Sequence, residues 1–597
     1  MKNCSLCLLI FVLYSYPSIA QNEDHMWIFN WWRVDDCSES NFPEFCNASI
    51  LDFNELPPVI YRNESITLDV QECHSSVCDG YGKLLFYSNG QSIHGSKHLP
   101  IINGEKINYS PKWEWLTWEN ENGDVKPTGF RYPQGVGFFK IPGVDSNYLA
   151  LYHNYENYCL DKGYDLWSCQ ITKNDNGDFE IDRKDEILKR NFSVPGSIHS
   201  CTHANGRDQW MLQFSSDSVY TYLIDSSGIN LDHTQQIPFI LREAAGQSKF
   251  SPQGERFALY GHFQTQSNNG MDLMISDFDR CSGFLIDPKY SRLSSIDADI
   301  IDNGLEFSPD GNLLYISKLD KIIQFDLLSE SVFETATVVS SFDSLTCELG
   351  ASGIFFGQMQ LGPDGKIYIA NTFQCFDLGV IEYPDKEGVE CEVIQNAIKL
   401  PTYHQGTIPN FNTFRLGPID GSSCDTLGLN NNPISRFWYE QDSTDHQEIQ
   451  FRDVSYYRPE QWSWTFGDGN SSNEMSPLHD YDSNGVYEVC LTVSNENSSN
   501  TSCQDLQIGP VANQNIQREY DINIFPNPVE DVTRLVFHDY LPERATIVLY
   551  DASGKKVFST RVYQECMIDM NGLNEGAYFY EILDVDTLLT SGMLIKI

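Results

Sequence analysis

Three segments of one pattern constrain this chain more than any other feature: "FSPQGERFALYG" from residue 250, "FSPDGNLLYISK" from 307 and "LGPDGKIYIAN" from 361. Each has an apolar residue, a Pro, a Gly turn and then an alternating strand, and the spacings are 57 and 54 residues. The proline fixes φ ahead of the turn and the glycine takes the positive φ that a tight hairpin demands, so the following strand pairs back on the one before. Weaker copies lie upstream, at "GYGKLLFYSNG" (80–90), "QGVGFFKIPGVDSNYLALYHN" (134–154) and "HANGRDQWMLQF" (203–214). Amphipathic helical windows are few, which makes the region all-β. A unit of this kind cannot bury both faces alone, so the copies must stack, and six copies with a seventh closed by the end segments match the spacing of propeller blades. The expectation is one seven-bladed β-propeller over residues 27–416, closed by strands from Trp27–Phe53 and Gly406–Leu416.

Composition sets the surroundings. The chain has 597 residues, with 39 Lys and Arg against 83 Asp and Glu, for a formal charge of -44. Such a surface repels phosphate backbones and anionic lipid, so no nucleic-acid partner is expected. Residues 1–20 combine one basic residue, an apolar run and the ending Ser18-Ile19-Ala20, with the small Ser18 and Ala20 at the cleavage positions, which reads as a secretory signal peptide cut before Gln21. No later run is long enough for a transmembrane segment. Cysteine spacings such as Cys37/Cys46, Cys73/Cys78, Cys159/Cys169 and Cys490/Cys503 suit disulfides in an oxidising compartment. Zinc is disfavoured because no C-x-x-C pair occurs after the signal.

Beyond a polar linker at 417–432, "WSWTFGDGNSS" and "HDYDSNGVYEVCLTVSN" make up a compact unit over 433–509. Trp464, Phe466, Gly467, Asp468 and Gly469, with Tyr481, Gly485, Tyr487, Val489, Leu491 and Val493, resemble a PKD domain, which implies a small immunoglobulin-like sandwich. Tyr487, Val489, Leu491 and Val493 alternate and so face one core, which turns Cys490 outward. With Glu496 and Asn497 centring the next hairpin, Cys490 falls across from Cys503, and a cross-strand disulfide is expected. Upstream, "LGPDGKIYIAN" followed by "GTIPNF" resembles the propeller-like region of exported, multi-domain Bacteroidetes-type surface proteins.

A second linker, 510–520, leads to "NIFPNPVEDVTRLVF", "ATIVLYDASGKKVFSTRV", "IDMNGLNEGAYFYEI" and "GMLIKI". These segments resemble the type A C-terminal sorting domain of type IX secretion system cargo, here 521–597. The resemblance maps Pro526, Asn527 and Pro528 to the entry motif, Asp551, Gly554 and Lys555 to a hairpin, Leu573, Gly576 and Tyr578 to the "L-x-x-G-x-Y" turn, and Lys596 to the terminal basic residue. It implies a second immunoglobulin-like sandwich, the type IX machinery as a partner, and a secreted or outer-surface destination reached through the periplasm.

Local catalytic signatures are absent: no G-x-S-x-G elbow, H-E-x-x-H helix, P-loop or dinucleotide fingerprint occurs, and no cofactor is expected. "NDNGDFEID" at 174 lacks the glycine an EF-hand loop needs at its sixth position and reads as a hairpin tip. His153, His203, His262 and His404 fall near strand starts in four repeats and are candidates to converge on a central channel, although a blade-core role is favoured. Trp113, Trp115 and Trp118 lie in an insertion and are candidate sugar-stacking residues, with burial against a neighbouring repeat the favoured alternative. The functional expectation is a displayed, non-enzymatic binding or adhesion protein whose propeller takes a glycan or protein ligand. Its rival is an extracellular carbohydrate-active hydrolase or lyase with facing carboxylates in the propeller channel.

Overall fold

In the computed structural model the described residues lie between Gln21 and Lys596. They exclude 31–46, 110–116, 120–124, 155–163, 295–303, 343–354, 510–521, 538–544 and shorter stretches of one to four residues. Among them the structure is β throughout, apart from two 3-10 turns at Val332–Thr335 and Gly388–Cys391. The chain divides into two compact units, residues 1–480 with 487–506, and residues 481–486 with 507–597.

The first unit opens with seven antiparallel sheets, each made of strands consecutive in the chain, spanning 26–63, 75–95, 136–192, 200–236, 244–294, 305–341 and 356–404. The first two have three strands and the others four. In the second to seventh sheets the turn of the repeat joins strand one to strand two. Gly82, Gly143, Gly206, Gly254, Gly311 and Gly365 all hold φ between 68° and 82° there, a region that costs a residue with a Cβ. The Gly254 N–H donates to Ser251 O at 2.7 Å, and Ser251 N–H to Arg256 O at 2.9 Å.

Apolar residues alternate along these strands and point to both faces, so every core is shared by two successive sheets. Phe86 of the second sheet meets Phe138 and Tyr148 of the third at 4.9 and 5.0 Å between ring centroids. The seventh sheet packs on the first: Trp27, Phe29, Leu51 and Phe53 share a core with Tyr368, Leu378, Val380 and Leu400. The expected closing strands are not found. The strands within Trp27–Phe53 pair with each other and with Val59–Asn63, and residues 406–416 add no strand to any sheet among the described residues. Pro409 lacks a donor, and the segment is held by bonds to several sheets. Asn410 N–H donates to His74 O at 3.1 Å, Asn412 Nδ2 to Phe138 O at 2.7 Å and Thr413 N–H to Ser200 O at 2.8 Å.

The PKD sandwich has one sheet of Phe437–Gln441, Glu448–Asp453 and Leu478–Asp480, and a second that includes Gln461–Thr465, Gly485–Ser494 and Ser499–Ile508. Phe437, Phe451, Trp464, Val489, Leu491 and Val493 are buried, whereas Tyr487 is only half-buried at the edge of the stripe. Cys490 and Cys503 are bridged, S–S 2.11 Å. The Cys73/Cys78 and Cys159/Cys169 spacings do not become bridges, since Cys73, Cys78 and Cys169 are free thiols. Cys73 lies in the core between the second and third sheets and Cys78 in the core between the first and second, on opposite faces of one sheet. Cys169 is a buried thiol against the Tyr152 hydroxyl. Cys37, Cys46 and Cys159 lie outside the described residues.

Residues 417–432, polar in composition, are tied down. Cys424 is bridged to Cys281 of the fifth sheet, and Arg280 donates to Thr202 O and Gly417 O at 2.8 and 2.7 Å. The PKD domain docks on the seven-sheet domain through Trp438 and Val454, which join the core of the first and seventh sheets. An ion network lies beside them. Glu382 accepts from Lys366 at 2.7 Å and Arg452 at 3.0 Å, and Glu440 pairs with the same two cations.

The second unit has a sheet of Ile522–Phe525, Val532–Phe537 and Glu565–Asp569 and a sheet ordered Lys556–Arg561, Ala545–Tyr550, Gly576–Asp584, Thr587–Lys596. Leu535, Ile547, Leu549, Ile568, Ile582 and Leu594 form the core between them.

The docked carboxyls imply a pH dependence. Burial raises Glu23 to about 7 and Asp453 to about 6, and burial with the adjacent Glu440 raises Glu382. Burial opposes ionisation of Glu440 too, but Lys366 and its neighbours hold it below the ordinary value, so it stays charged. Acids raised on folding stabilise when protonated, and that stability is lost as pH rises through about 6 to 7. Buried histidines of the same unit, among them His74, His153, His199 and His404, are lowered by burial and act with the opposite sign, so the carboxyl contribution is read as a difference. The melting temperature of Glu382→Gln relative to the unchanged protein should rise from about pH 5 to about pH 8; a difference that does not change with pH contradicts this account.

Candidate functional site

The first strands of the sheets meet at the centre of the seven-sheet domain, and their polar residues bond across it. Gln134, just before the third sheet, donates from Nε2 to Ser248 O at 2.9 Å and accepts from Ser248 N–H at 2.7 Å. Gln247 of the fifth sheet donates to Met359 O and accepts from Leu305 and Met359 N–H groups. Lys249 lies 3.1 Å from Glu306 of the sixth sheet and 2.5 Å from Gln360 of the seventh. Glu306 also accepts from the N–H groups of Phe307 and Leu361, so both carboxylate oxygens are engaged.

Two small cavities, about 90 and 80 Å³, flank Phe411–Phe414 in this centre, with room for a few waters. His199 lines the larger one, with Nδ1 buried and unpaired among the described residues; burial, then Lys249, holds it well below its ordinary pKa. An ammonium and two amides thus tie the Glu306 carboxylate into the scaffold at both of its oxygens. The signal for this centre was present in "QSKF", "LEF" and "QMQL", where Gln, Lys and Glu stand in the short strand ahead of each proline turn.

Of the four candidate histidines, the three whose side chains are described do not converge. His153 accepts from Gly196 N–H and bonds Gln213, His203 accepts from Asn205 N–H within its own turn, and His404 bonds Asp377 O. His262 lies in the strand Arg256–Thr265, its side chain outside the described ones. Trp113 and Trp115 lie outside the described residues. Trp118 is in a short strand, Thr117–Glu119, paired with Val125–Pro127, and its side chain is not described. Asn174, at the acidic stretch, accepts from Asn176 and Asp178 N–H groups at the tip of a hairpin.

In the PKD motif, Trp464 donates to Glu474 O at 2.9 Å and Phe466 is buried. Gly467 has φ 80°, where a Cβ would meet Glu488 O at 2.8 Å, and Gly469 has φ 100°. Asp468 accepts from Asn470 and pairs with His479 at 2.8 Å. Tyr481 is buried and Gly485 opens a strand. In the last unit Asp551 and Lys555 close a hairpin by reciprocal backbone and side-chain bonds. Leu573 packs on the core, and Tyr578 donates to Asn574 O at 2.8 Å. Gly576 has φ 148°, and a Cβ there would meet no atom within 4 Å. Lys596 is paired with Gly576. Pro526, Asn527, Pro528 and Gly554 lie outside the described residues.

The larger opening is a cleft of about 520 Å³ between the PKD domain and the proline turns of the fifth, sixth and seventh sheets. Pro252, Pro309 and Pro363 line one side and Tyr457, Arg458 and Trp462 the other. Nothing in the sequence signalled it, because its two sides lie more than ninety residues apart.

Comparison with known proteins assigns the two C-terminal parts. Residues 430–509 match the PKD domain family, and residues 523–596 match the secretion system C-terminal sorting domain. The chain thus carries a PKD domain and a type IX sorting domain, which marks it for export to the cell surface or the medium. No helix among the described residues is long and apolar enough to cross a membrane. Collagenase ColA of Clostridium perfringens is 30% identical over 114 residues, 19% of this chain, and the chain spans only 10% of that relative's length. The PKD1 domain of Vibrio cholerae metalloprotease PrtV is 26% identical, covering 13% of this chain and 95% of that one, TM-score 0.12. A functionally unknown protein from Desulfotomaculum acetoxidans is 12% identical over 65% of this chain and 100% of its own, TM-score 0.29.

Lys249→Met would leave the Glu306 charge buried beside apolar atoms. It should destabilise the seven-sheet domain by about 3–5 kcal/mol, read as a lowered unfolding midpoint, and Lys249→Met with Glu306→Gln should recover part of the loss. An unchanged midpoint in the single variant would remove the ion pair from the account of stability.

Proposed function

We propose that this protein is a secreted or cell-surface binding protein of Bacteroidetes type, in which a seven-bladed β-propeller and its docked PKD domain form the displayed module. The sorting domain at 523–596 is the observation that carries the reading, since it supplies the export route and the type IX machinery as a partner. The propeller is supported by seven consecutive sheets, by cores that each join two successive sheets, and by the core that joins the seventh to the first. Residues 1–20 act as the signal that delivers the chain to the periplasm. The displayed module takes a glycan or a protein partner. A hydrolase or lyase sited in the propeller channel is the weaker reading, because glutamines, the Phe411–Phe414 segment and a Glu306 bonded at both oxygens occupy that centre.

Truncation after Gly509 should leave a chain that folds its propeller and PKD domain but stays in the periplasm, while the intact chain reaches the surface or medium. Gly576→Ala should shift the balance the same way, by forcing a Cβ into a φ of 148° rather than by a clash. Fractionation of the host decides it: equal amounts of truncated and intact protein outside the cell would sink the export reading.

A further inference from the structure

We propose that the cleft between the PKD domain and the proline turns is a binding site for a neutral oligosaccharide. The proposal rests on the reading of the chain as a displayed binding module, and it names that module's site and ligand class. At about 520 Å³ the cleft has the size of ligand sites and lies between two domains, where such sites concentrate.

Its walls differ in a way that suits a sugar ring. Pro252, Pro309 and Pro363 present aliphatic ring faces. Opposite them, half-buried Trp462 is held in place: its indole N–H donates to Asp453 Oδ2 at 2.8 Å, and Asp453 accepts in turn from Ser455 N–H at 3.2 Å. A fixed aromatic face is already ordered before the ligand arrives, so less entropy is lost on stacking.

The polar groups are donors and acceptors side by side. The Arg458 guanidinium pairs with Glu255 and donates to Gln253 O at 3.2 Å, while its Nε is buried with no partner among the described residues. A guanidinium beside a carboxylate offers one donor and one acceptor to vicinal hydroxyls, and the two charges cancel, which favours a neutral ligand. An anionic saccharide would meet Glu255, Asp310 and a chain of formal charge -44.

The backbone that presents Arg458 is strained. Tyr457 has φ 63° and Arg458 φ 51°; neither is glycine, and Arg458 precedes Pro459, which itself disfavours helical backbone of the residue before it. Strain of this kind persists where the surrounding structure imposes it, and it collects at ligand clamps. A proline-rich peptide fits less well, because the cleft already places prolines on one wall and leaves only one exposed aromatic wall to receive others.

The test titrates the full chain with neutral hexasaccharides of β-linked glucose, N-acetylglucosamine, xylose and mannose, read by tryptophan fluorescence and saturation-transfer NMR. At least one should bind in the micromolar to millimolar range. Trp462→Ala should weaken it at least about tenfold, and Trp462→Phe, which keeps a stacking face, should retain most of the affinity. Arg458→Lys keeps the charge that faces Glu255 but loses the planar fork, and should weaken binding about fivefold with the melting temperature unchanged. No binding by any of the four, binding insensitive to both Trp462→Ala and Arg458→Lys, or occupation of the cleft by an acidic saccharide or a proline-rich peptide instead would overturn the proposal. Export of a chain that binds none of them leaves the display reading standing, so the two failures are told apart.

Discussion

The contact on which the rest depends is the core where Trp27 meets Tyr368, 5.1 Å between ring centroids, and Phe53 meets the same tyrosine at 5.6 Å. Every other sheet is joined to the next by a connection of at most 40 residues, the longest running from Gly95 to Val136, which keeps its two halves near each other even when the contact loosens. The first and seventh sheets have no such tether, since 292 residues lie between Asn63 and Phe356. Their contact must therefore offset the whole entropy of closing that loop. Burial of four aromatic rings, each contributing about 1.5–3 kcal/mol when fully removed from water, is a source of suitable size. No strand is exchanged across this seam among the described residues; side-chain packing closes it, joined by the Ser49 hydroxyl, which accepts from Thr402 N–H at 2.9 Å and bonds the Thr402 hydroxyl at 2.6 Å.

That seam explains why the PKD domain is docked rather than tethered. Trp438 lies 6.3 Å from Phe53 between ring centroids and Val454 packs on the same core, so the sandwich covers the edge of the closing contact. The neighbouring cations Lys366 and Arg452 each bridge a carboxylate of the seventh sheet, Glu382, to one of the PKD domain, Glu440. Arg436 extends the same interface to the start of the chain by donating to Asn22 at 2.6 Å. A domain that reads as a spacer in sequence thus helps to hold the first and last sheets together.

Much of this was legible in the sequence, for local reasons. The turn glycines were readable because their φ is set within four residues, and the PKD and sorting strands because alternation and turn motifs are local. What escaped was set by long-range packing. Polar residues in 417–432 suggested a free linker, but a disulfide from Cys281 and the Arg280 guanidinium fix that segment from a distant sheet. Cys73 and Cys78, five residues apart, looked like a pair until the sheet between them placed them in separate cores. The cleft could not be seen at all, since Arg458 and Glu255 become neighbours only through docking.

The centre and the cleft divide the polar residues of the first unit by how completely they are satisfied. Gln134, Gln247 and Glu306 each bond main-chain groups of another sheet, so their side chains act as extra rungs between strands that cannot pair directly. A site of that kind rigidifies, and these three side chains are already in use. At the cleft the order is reversed: Trp462 is fixed by Asp453 yet keeps an open face, and Arg458 is anchored by Glu255 yet keeps a buried donor without a partner. Binding is gained where groups are held but not exhausted, because only there does a ligand complete bonds instead of breaking them. By that criterion the proposed recognition surface lies where the PKD domain meets the proline turns and not at the middle of the sheets.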